Sequence, residues 1–543
     1  VQEPPTGTRL ADLAEEYFVR KLSHDPFTAS MLGEPGYADQ VPDPSRTAAE
    51  EHLARLRSLQ DRLAALPPSG PDEQVTRRVL ARVLEGDIGE IAFGLNDFAI
   101  SASVSAPQTT VFQVCGMPGA ASLDRLAALP EYFASWSARY QEAAHDGRFP
   151  QASGVQAAIT QLDVHLARPL DDDPMLRPLA DVDQARALIA DRIRPAIAAF
   201  RDDLANSLLP QGRSDDQAGV CHTPGGAEAY ADAVARHTRP GLTADEIHEI
   251  GLTELAGIHD ALATVGQRAL GTASAGETLA ALRNDPALRF GGSGEIVAMV
   301  EAALGRATAV LPKYFRPYRI PECVTREVDV VEAETAPLAY YQPPAADGGP
   351  GTHWVTTTEP HTRFRYEYEA LAFHEAVPGH HLQISVAQTL EDLPRFRRQI
   401  SGSVTAHVEG WGLYAEQLAD EMDLYTSDIT RLGRLSADAW RACRLVVDTG
   451  MHHRGWSRAR AIAFLRDNTA TTETNVRNEI DRYLAWPGQA LAYLIGKREI
   501  LRLREAARTR LGLRFDLAEF HHQVIGHGAL PLDVLGSVVT GWS

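Results

Sequence analysis

Residues 370–383 read ALAFHEAVPGHHLQ, with His374 and Glu375 adjacent and His380 and His381 a few positions on. Histidine, glutamate and histidine this close are what a zinc hydrolase needs. Neutral imidazoles hold the metal, and a carboxylate takes a proton from water that the metal activates. The usual spacing is H-E-x-x-H on one helix, which puts both histidines on one face. Here the fourth position after His374 is Pro378, and the next histidine is His380. On an unbroken helix, positions i and i+6 lie about 240° apart around the axis and about 9 Å apart along it. Pro378, however, has no N–H for the carbonyl of His374, and its ring clashes with that carbonyl. Gly379 then tolerates backbone angles that other residues avoid. The stretch therefore predicts a helix that bulges, kinks or restarts after Glu375 and swings His380 back beside His374. His381 is the competing ligand.

Working outward, most of the chain has helical periodicity. Leu10, Leu13, Ala14, Tyr17 and Phe18 mark a helix over 8–21. Thr47 and Glu50 form a capping-box pattern for a helix running toward Leu66, stopped by the Pro/Gly/Ser segment 67–71. A further helix is expected from about 73 to 91. Residues 93–118 lack helical period and predict an ordered loop. Helices follow near 122–146, 154–168, 182–207, 227–236, 243–265, 275–283 and 294–311. Residues 326–341 and 352–358 alternate like strands around a Pro/Gly loop at 343–351, so a small sheet should precede the metal helix. Zinc peptidases often offer such an edge to an extended peptide. Helices then return at 364–376, 404–420, 429–452, 458–467, 472–484 and 489–512.

Composition is that of an ordinary globular protein, 44% hydrophobic and 23% charged. Its net charge of −20 argues against nucleic acid or an anionic membrane as partner. No apolar run approaches the length of a membrane span. Cys115, Cys221, Cys323 and Cys443 form no C-x-x-C pair and read as free thiols. A cytoplasmic protein is expected, or one exported after removal of a signal. No Walker loop, G-x-S-x-G elbow or dinucleotide fingerprint occurs.

The string HEAVPGHHLQ resembles the signature of the bacterial "domain of unknown function 885" family. So do Tyr340–Pro344, the segment from Glu409 to Glu416, Asp448–His452 and Trp486–Ala490, all in family order. The match is dense from about residue 322 onward. Members of that family are similar to zinc metallopeptidases of the gluzincin type, in which two histidines and a downstream glutamate hold the metal. The resemblance implies a mainly α, two-lobed fold with a deep cleft and a small β-sheet beside the metal helix. A helical lobe over 1–315 would precede a metal-site lobe over 316–543, as one integrated structure. It implies His374, His380 and Glu409 as ligands of one Zn2+ per chain, with another divalent metal as the alternative, and Glu375 as general base. His452 and Tyr493 become candidates to stabilise the oxyanion, since related zinc peptidases use a His and a Tyr. His381, Glu416, Arg482 and Tyr341 would support ligands or touch substrate: Glu416 as acceptor for a ligand ring N–H, Arg482 as partner of a substrate carboxylate. His407 reads as a core histidine or a ligand.

The expected activity is hydrolysis of amide bonds in a short peptide or small amide substrate. Two rivals remain: transformation of a small non-peptide metabolite at the same site, and a metal-holding binding module without turnover.

Overall fold

The computed structural model describes residues 9–67, 70–103, 105–117, 119–329, 333, 337–344, 348–399 and 404–543. Some of the expected elements fall partly outside them: Thr8, Pro68, Ser69, Pro118, residues 330–332 and 334–336 of the alternating stretch, and 345–347 of the Pro/Gly loop. The protein is mainly helical, with one small sheet among the described residues. It forms two compact units, each assembled from separated segments. The first takes the chain up to Ala233 together with Gly450–Ala461 and Arg477–Pro487. The second takes Val234–Thr449, Ile462–Val476 and Gly488–Ser543. A division at residue 315 thus falls inside the second unit. Local sequence signals do not reveal such returns, because they depend on contacts remote in sequence.

In the first unit, Leu10–His24 buries Leu13, Ala14, Tyr17 and Phe18 along one side. The Arg46–Ala65 helix starts earlier than the Thr47 pattern suggested. Ser45 caps it instead, its hydroxyl accepting the Ala48 N–H at 3.2 Å. The expected loop at 93–118 is largely structured, with a 3-10 turn at Leu95–Asp97 and a helix at Pro107–Cys115. Pro107 supplies the start of that helix, where its missing N–H costs nothing. Val111, Val114 and Cys115 then pack into a core with Leu126, Phe133 and Leu162. Burial of that face overrides the weak helix propensity of Thr and Val. The long helix expected at 182–207 is present as Val182–Leu188 and Arg194–Asp203, followed by π turns at Ile189–Ile193 and Leu204–Leu208 respectively.

The second unit carries the sheet: β1 (Cys323–Glu327), β2 (Ala339–Gln342) and β3 (Gly351–Val355). β3 is central, parallel to β1 and antiparallel to β2. Alternation along β3 buries Gly351, His353 and Val355 and leaves Thr352 and Trp354 partly exposed. Two helices, Thr405–Glu421 and Ala492–Leu511, cross at a pair of glycines. A Cβ on Gly410 would lie 2.5 Å from Gly496 backbone atoms, and one on Gly496 would lie 1.8 Å from the Ala406 carbonyl oxygen. Only glycine lets the backbones approach this closely.

Cys115 and Cys443 are buried, Cys221 and Cys323 half-buried, and all four are free thiols. No described helix is long and apolar enough to cross a membrane.

Candidate metal centre

The helix that carries His374 stops where the proline requires. It runs from Tyr368 to Glu375, and a new helix, His380–Gln388, begins after a four-residue break. The connecting segment contains a cis Val377–Pro378 bond. Gly379 folds back so tightly that a Cβ there would sit 1.8 Å from the His374 carbonyl oxygen. Trp411 fastens this turn, its indole N–H lying 2.9 Å from the Pro378 carbonyl and 3.2 Å from that of Gly379. Trp411 stands on the Thr405–Glu421 helix, two residues after Glu409, so the helix bearing the carboxylate also clamps the break.

The result is a compact cluster. Ligand atoms of His374, His380 and Glu409 all lie within 4.8 Å of one another. Glu409 Oε2 is 3.5 Å from His374 Nε2 and 3.5 Å from His380 Nε2. Donor atoms around a tetrahedral zinc stand roughly 3.4 Å apart, from Zn–N and Zn–O bonds near 2.0–2.1 Å. The two imidazole planes are nearly perpendicular, at 84°, with centroids 4.7 Å apart. His374 is held from behind, its Nδ1 at 2.8 Å from Glu416 Oε1. A ligand histidine oriented by a carboxylate is a common support in zinc sites. Gly412 makes room for the ring, since a Cβ there would lie 2.6 Å from His374 Cε1.

Electrostatics fit a cation. Burial alone would lower the pKa of His374, but the Glu409 and Glu416 carboxylates outweigh it and lift the group to about 10. Burial pushes Glu409 up, and the two histidine rings more than reverse this, holding it well below the usual carboxylate range. A divalent ion would replace the proton on His374 as the partner of Glu409. Glu375 differs from its neighbours. Burial raises its pKa, opposed by His374 and His380. It makes no hydrogen bond or ion pair with any described residue, so its carboxylate is available to a substrate or water.

The remaining candidates are not members of this cluster. His381 is buried and binds both ways, Nε2 to the Pro321 carbonyl at 3.1 Å and Nδ1 to Tyr341 Oη at 3.0 Å. Burial lowers its pKa to about 4. It ties the second helix to β2 and is not in the ligand cluster, and Tyr341 is its partner there. His407 is a core histidine, its Nδ1 accepting the Leu530 N–H at 2.9 Å. His452 belongs to the first unit. Its Nδ1 accepts from Val220 N–H at 3.2 Å and its Nε2 donates to the Tyr483 carbonyl at 3.0 Å. It is fully buried, burial pushes its pKa down to about 3, and both ring nitrogens are engaged by backbone groups of its own unit. Arg482, also in the first unit, pairs with Glu479 on its own helix at 3.2 Å. Tyr493 lies in the second unit with its ring 4.4 Å from the Arg444 guanidinium.

Sequence reasoning did not anticipate the work of Trp411 and Gly412. For Gly412 the spacing is a signal: it stands three residues after Glu409 and four before Glu416, on the face those two carboxylates share.

Fold and site together define a helical protein in which two buried histidines flanking a broken helix meet one half-buried carboxylate from a neighbouring helix. The chain belongs to the family described as "Bacterial protein of unknown function (DUF885)", which matches residues 26–539. It is similar to a solved structure titled "putative lipoprotein" from Colwellia psychrerythraea, at 27% identity over 98% of both chains with a TM-score of 0.90. It shares its fold with a second, a "putative lipoprotein of unknown function" from Shewanella oneidensis, at 16% identity over 98% of this chain and 100% of that one, TM-score 0.71. No curated protein matches the chain.

Proposed function

We propose that this protein is a metal-dependent hydrolase of amide bonds in short peptides, with zinc as the metal and a gluzincin-like ligand set. The reading is carried by one observation: three ligand atoms converge within 4.8 Å beside a glutamate that has no partner among the described residues. His374, His380 and Glu409 would hold the ion, leaving a position open as catalytic sites do. When bound, zinc supplies Lewis acidity, polarising a carbonyl and acidifying water.

The rest falls to the chain's own side chains. Glu416 fixes the tautomer of His374 by keeping the proton on Nδ1, so that Nε2 faces the ion. Glu375 takes a proton from the attacking water as its oxygen bonds to the carbonyl carbon. It returns that proton to the leaving nitrogen as the C–N bond breaks. Its raised pKa suits both halves of the transfer. A cleft that admits an extended peptide, and an integrated two-lobed arrangement, belong to the same proposal. The similarity to a Colwellia protein described as a "putative lipoprotein" supports export, with the cytoplasm as the alternative, and cell fractionation decides between them.

The test is metal content by mass spectrometry with peptide turnover in parallel. Wild type should carry about one zinc per chain, and His380→Ala should lose it. Glu375→Gln should keep the metal and lose turnover by a factor on the order of 10²–10⁴. Wild type without metal, after purification free of chelators, would refute the hydrolase. A Glu375→Gln chain that turns over normally would refute the assignment of the base.

A further inference from the structure

Arg441 lies on the Asp428–His452 helix, is only 7% exposed, and is poorly satisfied for a buried cation. Of its five N–H groups, one has a hydrogen bond to a described residue, from Nη1 to the Ala437 carbonyl at 3.3 Å. Nε is buried and has no partner among the described residues. Nη2 comes no closer than 3.9 Å to a described carboxylate. Other buried arginines here are better served. Arg213 reaches four carbonyl oxygens, and Arg504, although its Nε is also unpartnered among the described residues, grips Glu421 through both Nη atoms at 3.0 and 2.7 Å.

The two idle nitrogens are a matched pair. Nε and Nη2 present parallel N–H groups on one side of a guanidinium, the fork that takes a carboxylate side-on. Arg458 uses that fork on Asp481, at 2.6 and 2.8 Å, and Arg502 uses it on Glu499, at 2.8 and 2.6 Å. In Arg441 no described residue fills it.

Its position links it to the metal cluster. The carboxylate oxygen 3.9 Å from Nη2 is Glu416 Oε1, which also takes the Nδ1–H of His374. The run from Tyr366 to Ala376 is buried except for Glu367, Leu371 and Glu375, a single stripe at i, i+4 and i+8. Glu367 feels the charges of Arg289 and Arg363 and, less strongly, that of Arg441, and Glu375 feels Arg441 after His374 and His380. Arg289 and Arg363 are hydrogen-bonded to carbonyl oxygens, so the half-buried side of the ligand helix carries two carboxylates with Arg441 as a nearby guanidinium whose fork no described residue fills.

We infer that the Nε/Nη2 fork of Arg441 binds a carboxylate of the substrate, so that the site takes molecules bearing a free carboxylate close to the bond that is cut. The inference rests on the hydrolase reading for the chemistry after binding, but the binding itself is measured without turnover. The rival occupant of the fork is Glu416, which a small side-chain shift would bring into it.

The experiment uses the zinc-loaded full chain and two probes that differ only in charge, N-acetyl-phenylalanine and its C-terminal amide, titrated by calorimetry. Wild type should bind the acid at least about tenfold more tightly than the amide, as a charge-assisted bidentate pair requires. Arg441→Gln should lose that preference while its zinc content, measured on the same sample, stays at the wild-type level. Arg441→Lys keeps the charge without the fork and should recover only part of the preference. Equal binding of acid and amide by wild type, or binding of neither, overturns the inference. So does a preference that survives in Arg441→Gln, which would place the carboxylate on the metal. If Arg441→Gln loses zinc and Arg441→Lys regains both zinc and the full preference, Arg441 is only a counter-ion for Glu416, and the inference fails. Acid binding through Arg441 with no hydrolysis of any peptide would leave this inference standing and remove the hydrolase.

Discussion

Replacing Gly412 by alanine adds one methyl group and tests whether the cluster is as tight as its geometry indicates. The new Cβ would lie 2.6 Å from Cε1, 2.7 Å from Nε2 and 2.9 Å from Nδ1 of His374. Carbon contacts settle at about 3.5–4.0 Å, so the ring must retreat by roughly 1 Å. Metal–ligand distances tolerate about 0.2 Å. The ring cannot retreat freely, because Nδ1 is bonded to Glu416 at 2.8 Å and that carboxylate is itself buried. Either the Glu416 bond breaks or Nε2 leaves its place beside Glu409. Loss of a ligand's supporting contact alone costs about 10–100-fold in metal affinity, and displacement of the ligand atom should cost more. The assay is zinc affinity by competition with a chromogenic chelator, paired with thermal unfolding of the metal-free chain. An ordinary glycine-to-alanine change inside a helix stabilises by up to roughly 1 kcal/mol. Gly412→Ala should instead bind zinc at least about 100-fold more weakly and unfold at a lower temperature. A variant that binds zinc like wild type and unfolds later would refute the close packing of His374 on this helix.

Other outcomes come from the same geometry. Glu416→Gln should keep the fold and weaken zinc binding by about 10–100-fold, read by the same chelator competition. Gly496→Ala puts a methyl against the Ala406 carbonyl at the helix crossing and should destabilise by about 1–3 kcal/mol, read by urea unfolding. Trp411→Phe leaves the Pro378 and Gly379 carbonyls without their donor, at a cost of about 1–3 kcal/mol, measured the same way. Acid should be destabilising over a defined window. Burial lowers the pKa of His52, His452 and His521 to about 3 and of His353 to about 4. Between those values and about 6.5 the unfolded chain binds protons that the folded chain does not. Stability from these groups is therefore complete above about pH 6.5 and is lost as the pH falls toward 4, with a slope of up to about 1.4 kcal/mol per pH unit for each histidine. Urea midpoints at pH 7, 6 and 5 check this, and a midpoint that does not move between pH 7 and 5 would contradict it.

Much of this was legible because it is local. A proline four residues after His374 breaks the helix whatever surrounds it, and helical period showed through at Leu10–His24 and Thr405–Glu421. The cluster of His374, His380 and Glu409 was readable because two of its members flank that break. What escaped depends on partners remote in sequence. The Pro107–Cys115 helix has little intrinsic preference for its shape and owes it to a core built from residues 126–162. His452 looks the same in the sequence whether it faces a substrate or two backbone groups at Val220 and Tyr483. Arg441 offered no signal at all, since an open guanidinium fork is defined only by what fails to reach it.

The scattered composition of the first unit constrains the order in which the protein can be made. Its opening stretch ends at Ala233, but Gly219 packs on the carbonyl of Met451, and Val220 needs the imidazole of His452, both in a segment that begins at Gly450. At ribosomal speeds of about 5–20 residues per second, that segment is made on the order of 10–40 s later. During that interval the nascent unit has an unfilled seat where residues 450–461 and 477–487 will lie. Folding of the amino-terminal part therefore ends only after Pro487 has been made, and the newborn chain depends for that time on whatever shields the seat from aggregation.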